Sequence, residues 1–250
     1  MSEAEDKKIA LVTGANRGIG LETVRQLAQQ GIKALLGARD EAKGREAAET
    51  LKAEGLDVEA IQLDVDDLAS QERAAKDIEA KFGKLDILIN NAASYVDQTE
   101  EGGAFVPASR TSLEVFRQTF ETNFFNTISL TQTLIPLIKK ADAGRIVFLS
   151  SGLGSLTLHS DPASPIYGWK VPAYDISKTA LNGYVVHLAW ELKDTGIKVN
   201  AAHPGSVLTD MNQYGELTVE EGSKTSVALA TLGADGVNGK MVHLGEELPW

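Results

Sequence analysis

Residues 9–30 leave this chain few folds to choose from. Ile9-Ala10-Leu11-Val12 is a short apolar run that reads as a buried parallel strand. Leu21 to Gln30 has helical periodicity, with Leu21, Val24, Leu27 and Ala28 on one face. Between them lies Thr13-Gly14-Ala15-Asn16-Arg17-Gly18-Ile19-Gly20. Gly14 permits a tight turn. Gly18 and Gly20 let the backbone approach a pyrophosphate and let the helix pack closely on the sheet. The helix start offers free N–H donors and the positive end of its dipole. The spacing is G-x-x-x-G-x-G, and a glycine cluster after a strand can also be no more than a turn.

The pattern continues as alternation. Strands are expected near 8–13, 32–37, 58–63, 85–90, 144–150, 197–202 and 240–244. Helices are expected near 18–31, 40–54, 67–82, 111–140, 173–195 and 219–231. Strand–helix alternation predicts one α/β domain, a doubly wound parallel sheet of seven strands with helices on both faces. Such sheets bind ligands outside the carboxyl ends of their strands. Thr13–Gly20, Asn90–Ala93, Ser150–Ser151 and Pro204–Thr209 all fall on that edge.

Composition narrows the function classes. The 250 residues are 43% apolar, enough for a sizeable core, and carry a net charge of −11. That charge argues against nonspecific nucleic-acid binding, and an anionic ligand must be held by local groups. Cysteine is absent, so there is no disulfide and no thiol nucleophile. No apolar run reaches bilayer length and no secretory leader is legible, so the cytoplasm is the expected compartment. The charged Met1–Lys8 segment reads as a frayed tail. His159, His187, His203 and His243 lack metal-ligand spacing and are assigned no chemistry.

One tyrosine has a lysine four residues on, in Tyr174-Asp175-Ile176-Ser177-Lys178. On a helix this places an ammonium beside a phenol. A nearby cation favours the phenolate and lowers the phenol's pKa, making the pair a candidate general acid/base. Tyr167-Gly168-Trp169-Lys170 sits between Pro165 and Pro172 and reads as a loop.

The two motifs together resemble the short-chain dehydrogenase/reductase family, and within it the carbonyl reductase branch. Intermediate signals agree in order: Asp64-Val65 after the third strand, Asn90-Asn91-Ala92 after the fourth, Asn123 in a long helix, Ser150-Ser151 after the fifth strand, and Pro204-Gly205 with Thr209 after the sixth. The resemblance runs from about Lys8 to Trp250. It implies a Rossmann fold and a catalytic set of Asn123, Ser151, Tyr174 and Lys178. Tyr174 would donate the proton to a carbonyl, Lys178 would lower its pKa and bind the nicotinamide ribose, Ser151 would bond the carbonyl oxygen, and Asn123 would hold a water. It further implies cofactor contacts from Gly14, Asn16, Arg17, Gly18, Ile19, Gly20, Arg39, Asp64, Val65, Asn91, Ala92, Pro204, Gly205, Val207 and Thr209, besides Tyr174 and Lys178. Ser151 could otherwise cap a turn, and Asn123 could satisfy a helix kink.

Ala38 occupies the position where an NAD enzyme places a carboxylate for the ribose 2′-OH, and Arg39 follows it. With Arg17, it offers two guanidiniums to a 2′-phosphate, which favours NADP(H). Arg39 could instead pair with Asp40 or Glu41. The expected activity is NADPH-dependent reduction of ketones or aldehydes. An alcohol or sugar dehydrogenase, or a non-catalytic NADP(H)-sensing protein, is the alternative. The partner is a small carbonyl or alcohol substrate; a homodimer, a homotetramer and a monomer are all compatible. Two departures from the family stand out. Ala93 replaces a usual glycine, and the Ser151–Tyr174 gap of 23 residues is about ten longer than usual. The resulting insert, roughly 156–170, borders the substrate pocket or packs on the surface. The short segment after Pro204-Gly205 suggests an open cleft.

Overall fold

The computed structural model describes residues 7–100 and 105–250. The expected frayed tail therefore lies almost wholly outside the described residues. The strands are β1 (Ile9–Val12), β2 (Lys33–Ala38), β3 (Val58–Gln62), β4 (Ile87–Asn90), β5 (Arg145–Leu149), β6 (Lys198–Ala202), β7 (Met241–His243) and β8 (Glu246–Leu248). They form one sheet in the order β3-β2-β1-β4-β5-β6-β7-β8. All neighbours are parallel except β7 and β8.

Strand periodicity explains the two-faced core. Along β1, Ile9 and Leu11 join one apolar cluster while Ala10 and Val12 join the other. The first cluster packs under α3 (Leu68–Phe82), α5 (Thr127–Ile138) and α7 (Pro172–Glu191) through Ile78, Leu134 and Val185. The second packs under α1 (Gly18–Gln29), α2 (Glu41–Ala53) and α8 (Val219–Ala230) through Val24, Leu51 and Val227. Strands covered on both sides read as continuous apolar runs, as β1 and β4 do.

The eighth strand corrects the expected seven. Leu244 and Gly245, at φ 47° and 91°, reverse the chain in a left-handed two-residue turn, and Glu246–Leu248 returns antiparallel. Such turns usually announce themselves by Asn-Gly, and Leu-Gly does not. The expected helix 111–140 is also interrupted. It divides into α4 (Leu113–Phe120), a π-helical turn (Glu121–Asn126) and α5. A π-helical turn adds one residue to the turn, and no residue type marks it in the sequence. The insert is likewise not all loop, since α6 (Leu156–Ser160) lies within it.

Most helices bring their own caps. Asp40, Asp67 and Thr218 each accept from a backbone N–H of the turn they begin. Two helices do not. The first turn of α1 begins at Arg17 without a side-chain cap. α7 starts with Pro172, and its N–H groups at Ala173 and Tyr174 donate to Asp97, at 2.9 Å and 3.0 Å.

Candidate active site

Strand order reverses direction between β1 and β4, and a cleft of about 1410 Å³ opens above their carboxyl ends. Its floor is the glycine turn. Thr13 Oγ1 accepts from the N–H groups of Asn91 and Ala92, at 3.0 Å and 2.9 Å. Asn91 Nδ2 donates back to Thr13 O and Gly14 O, at 2.7 Å and 3.1 Å. The turn after β1 and the turn after β4 are thus laced together. A Cβ at Gly20 would lie 2.5 Å from Asn91 Nδ2 and 2.7 Å from Gly14 O, so this position has no room for a side chain. Gly14 and Gly18 adopt φ of 60° and 58°, conformations that favour glycine.

This floor fits a dinucleotide. The uncapped start of α1 keeps its N–H donors free beside Gly14, Asn16, Arg17, Gly18, Ile19 and Gly20, all of which line the cleft. At one end stand Arg17, Arg39 and Lys43. No carboxylate follows β2 at the position of Ala38, which is buried against Gly44. Arg39 makes no ion pair among the described residues; Asp40 caps α2 instead, accepting from Ala42 and Lys43 N–H. Arg17 is held by Asp210 at 2.5 Å in an exposed pair, which contributes little to stability. Asp64 and Val65 form the adjoining wall.

At the other end Tyr174 and Lys178 project from one face of α7, as their spacing requires. Lys178 Nζ lies 5.6 Å from the centre of the Tyr174 ring and donates to Leu149 O at 2.7 Å. Ser151 Oγ accepts from Leu153 N–H at 3.2 Å and stands close enough to the Tyr174 phenol to favour its ionised form. Ser151 therefore caps its turn and meets the tyrosine at once. Burial pushes the phenol's pKa up to about 12, outweighing the Ser151 hydroxyl that lowers it. The expected lowering by Lys178 does not set the net direction; burial does. Burial lowers the pKa of Lys178 itself to about 8, so the ammonium is still the major form at neutral pH.

Asn123 sits in the π-helical turn, 1% exposed, off the cleft wall. Its amide donates to Ser94 O (2.9 Å) and Ser177 Oγ (3.1 Å) and accepts from Ser94 N (2.7 Å). It ties the loop after β4 to α7. Pro204 and Thr209 line the cleft, but Gly205 and Val207 do not. Val207 is buried, and a Cβ on Gly222 would come 2.4 Å from it. Ala93 lines the cleft without backbone strain, since Leu244 is the sole non-glycine with positive φ among the described residues. Glycine is therefore not needed there.

Sequence reading missed several contributors. Lys43 lies four residues after Arg39, a spacing that could have signalled it. Asp97 caps α7 across a long loop, and no local pattern announces it. His203 Nδ1 accepts from Gly152 N–H at 3.0 Å, directly behind Ser151. An aromatic chain runs from Tyr174 through Tyr95 (5.4 Å) and Phe105 (6.4 Å) to Trp169 of the insert (5.6 Å). The insert thus reaches the site edge while Trp169 stays half exposed.

Comparison with known proteins agrees with this geometry. The family model described as short chain dehydrogenase matches residues 8–219. "Short-chain dehydrogenase/reductase 1" of Saponaria officinalis is 35% identical, covering 98% of this chain and 96% of that protein. "Carbonyl reductase [NADPH] 1" of Rattus norvegicus is 33% identical, covering 99% and 100%. The NADPH-bound carbonyl reductase from chicken fatty liver superposes with a TM-score of 0.82 at 26% identity, covering 98% and 99%.

Proposed function

The chain belongs to the short-chain dehydrogenase/reductase family, an oxidoreductase family, and on that premise we propose that it is an NADPH-dependent carbonyl reductase with Tyr174 as proton donor. The observation that carries this reading is Tyr174 and Lys178 lining the end of the glycine-floored cleft from one face of α7, with Ser151 close behind the phenol. NADPH, when bound, supplies the hydride that the carbonyl carbon receives. The chain's residues handle the oxygen. As negative charge develops there, the Ser151 hydroxyl and the Tyr174 phenol converge on it as donors. Tyr174 then gives up its proton to the alkoxide, and Lys178 lies close enough to stabilise the phenolate left behind.

A phenol held protonated through neutral pH suits this direction. It is a poor base for oxidising an alcohol, which weighs against a dehydrogenase acting on alcohols or sugars. A sensor has no use for a buried lysine under a tyrosine, and burying Lys178 is costly without a chemical return. Arg17, Arg39 and Lys43 support NADPH over NADH. The names of the rat and chicken relatives point the same way.

Loss of NADPH absorbance with a panel of activated ketones tests the reading. Wild type is expected to turn over, and Tyr174→Phe to lose about 10³-fold in kcat while still binding NADPH. Tight NADPH binding by wild type without turnover of any ketone would sink the catalytic reading. A preference for NADH would sink the argument from the three cations.

A further inference from the structure

The insert between β5 and α7 sends one side chain inward. His159 and Asp175 have side chains only 12% and 9% exposed. His159 Nε2 lies 2.9 Å from Leu153 O and 3.3 Å from Asp175 Oδ2. Its Nδ1 faces the Lys170 ammonium at 3.0 Å, and the same ammonium donates to His159 O at 2.8 Å. An ammonium has no lone pair, so Nδ1 must accept and the ring proton sits on Nε2. That N–H donates to Leu153 O, and Asp175 Oδ2, on α7, lies 3.3 Å from the same nitrogen.

These two oxygens belong to the two halves of the proton-handling pair. Leu153 lies two residues past Ser151, and its N–H donates to Ser151 Oγ. Asp175 follows Tyr174, and its Oδ2 also accepts from Val171 N–H at 2.8 Å. Asp175 Oδ1 is buried without a partner among the described residues. A buried carboxylate with one unsatisfied oxygen destabilises the fold unless its other contacts are needed.

We propose that His159 is a positioning residue whose Nε2–H brackets the Ser151 turn and the first turn of α7, holding the serine hydroxyl and the Tyr174 phenol in register. Lys170 fixes the tautomer, and Asp175 is the anchor on the helix side. The insert is then part of the active-site frame. The proposal rests on the reading of Ser151 and Tyr174 as the proton-handling pair.

The test compares wild type, His159→Ala and His159→Gln in the full chain, with NADPH present. A glutamine amide can place its N–H where Nε2–H lies. Backbone hydrogen exchange over 152–160 and 171–178 needs no turnover. It is expected to quicken about tenfold in His159→Ala and to return towards wild type in His159→Gln. With an activated ketone, kcat is expected to fall about 10- to 100-fold in His159→Ala, with KM and NADPH affinity within about threefold of wild type and kcat rescued in His159→Gln. Unchanged exchange, unchanged kcat, or a glutamine variant as impaired as alanine would overturn the proposal. If wild type reduces no ketone, the reductase reading fails separately and exchange alone decides the bracket. If His159→Ala does not fold, Lys170→Met removes the donor that sets the tautomer. Wild-type exchange in that variant overturns the proposal too, and faster exchange over both segments supports it.

Discussion

At the ribose end of the cleft, three cations face a site from which the usual carboxylate is missing. Arg39 precedes α2 and Lys43 lies in its first turn; Asp40 between them caps the helix, with its Oδ2 3.9 Å from Lys43 Nζ. Charge-assisted bonds to phosphate are about twice as strong as neutral ones, and each is worth roughly 1.5–3 kcal/mol. Arg39→Ala is therefore expected to weaken NADPH binding by about 10- to 100-fold while leaving NADH binding within about threefold. Lys43→Ala should do the same to a smaller degree, since an ammonium makes no bidentate bond. Titration of cofactor fluorescence reads both. Equal losses for NADPH and NADH would mean that these residues shape the cleft and do not recognise the 2′-phosphate.

Among the elements, β5 and its flanks depend on a cation that pairs with no anion among the described residues. Arg145 begins β5, is 4% exposed, and donates to Ala143 O, Gly144 O, Gly196 O, Leu232 O and Gly233 O. Burial lowers its pKa, yet a guanidinium keeps its charge under any ordinary condition. Carbonyls beyond α8 and at the turns before β5 and β6 thus find donors that water cannot supply there. Arg145→Met keeps the volume but leaves these acceptors unpaired. It is expected to cost about 3 kcal/mol of stability, read as a fall in the urea midpoint at unchanged slope. A midpoint equal to wild type would show that those carbonyls are satisfied otherwise. α7 follows a similar logic, since its cap comes from Asp97 and not from its own first turn.

At the scale of the whole molecule, two buried groups oppose each other as pH changes. Burial holds His203 down at about 4, while burial raises Asp175 to about 7. Between pH 4 and 6.5 the unfolded histidine binds more protons than the folded one, so His203 makes stability rise with pH. Folded Asp175 binds more protons than its unfolded form from about pH 4 to 7, so it makes stability fall over nearly the same window. His159, also held below its ordinary pKa by burial, adds to the side of His203. Wild type is expected to show a shallow Tm profile from pH 4.5 to 6.5. His203→Asn should make Tm fall with pH, and Asp175→Asn should make it rise. Parallel profiles in all three proteins would refute this balance.

Much of the molecule was already determined by the sequence. Apolar runs, glycine spacing and helical periodicity depend on neighbours a few residues apart, so the strand–helix alternation, the sheet edge carrying the site, the glycine turn and the Tyr174–Lys178 face were all legible. What tertiary structure alone decided depends on groups distant along the chain. Asp97 capping α7, Arg145 serving several chain ends and His159 touching both the serine turn and the tyrosine helix have no local signature. The π-helical turn escaped because no residue type marks it, and the Leu244-Gly245 reversal because Leu-Gly is not a usual turn pair. The pKa of Tyr174 was missed for the same physical reason. Spacing shows that Lys178 is near, but desolvation sets the direction of the shift, and burial is a property of the folded whole.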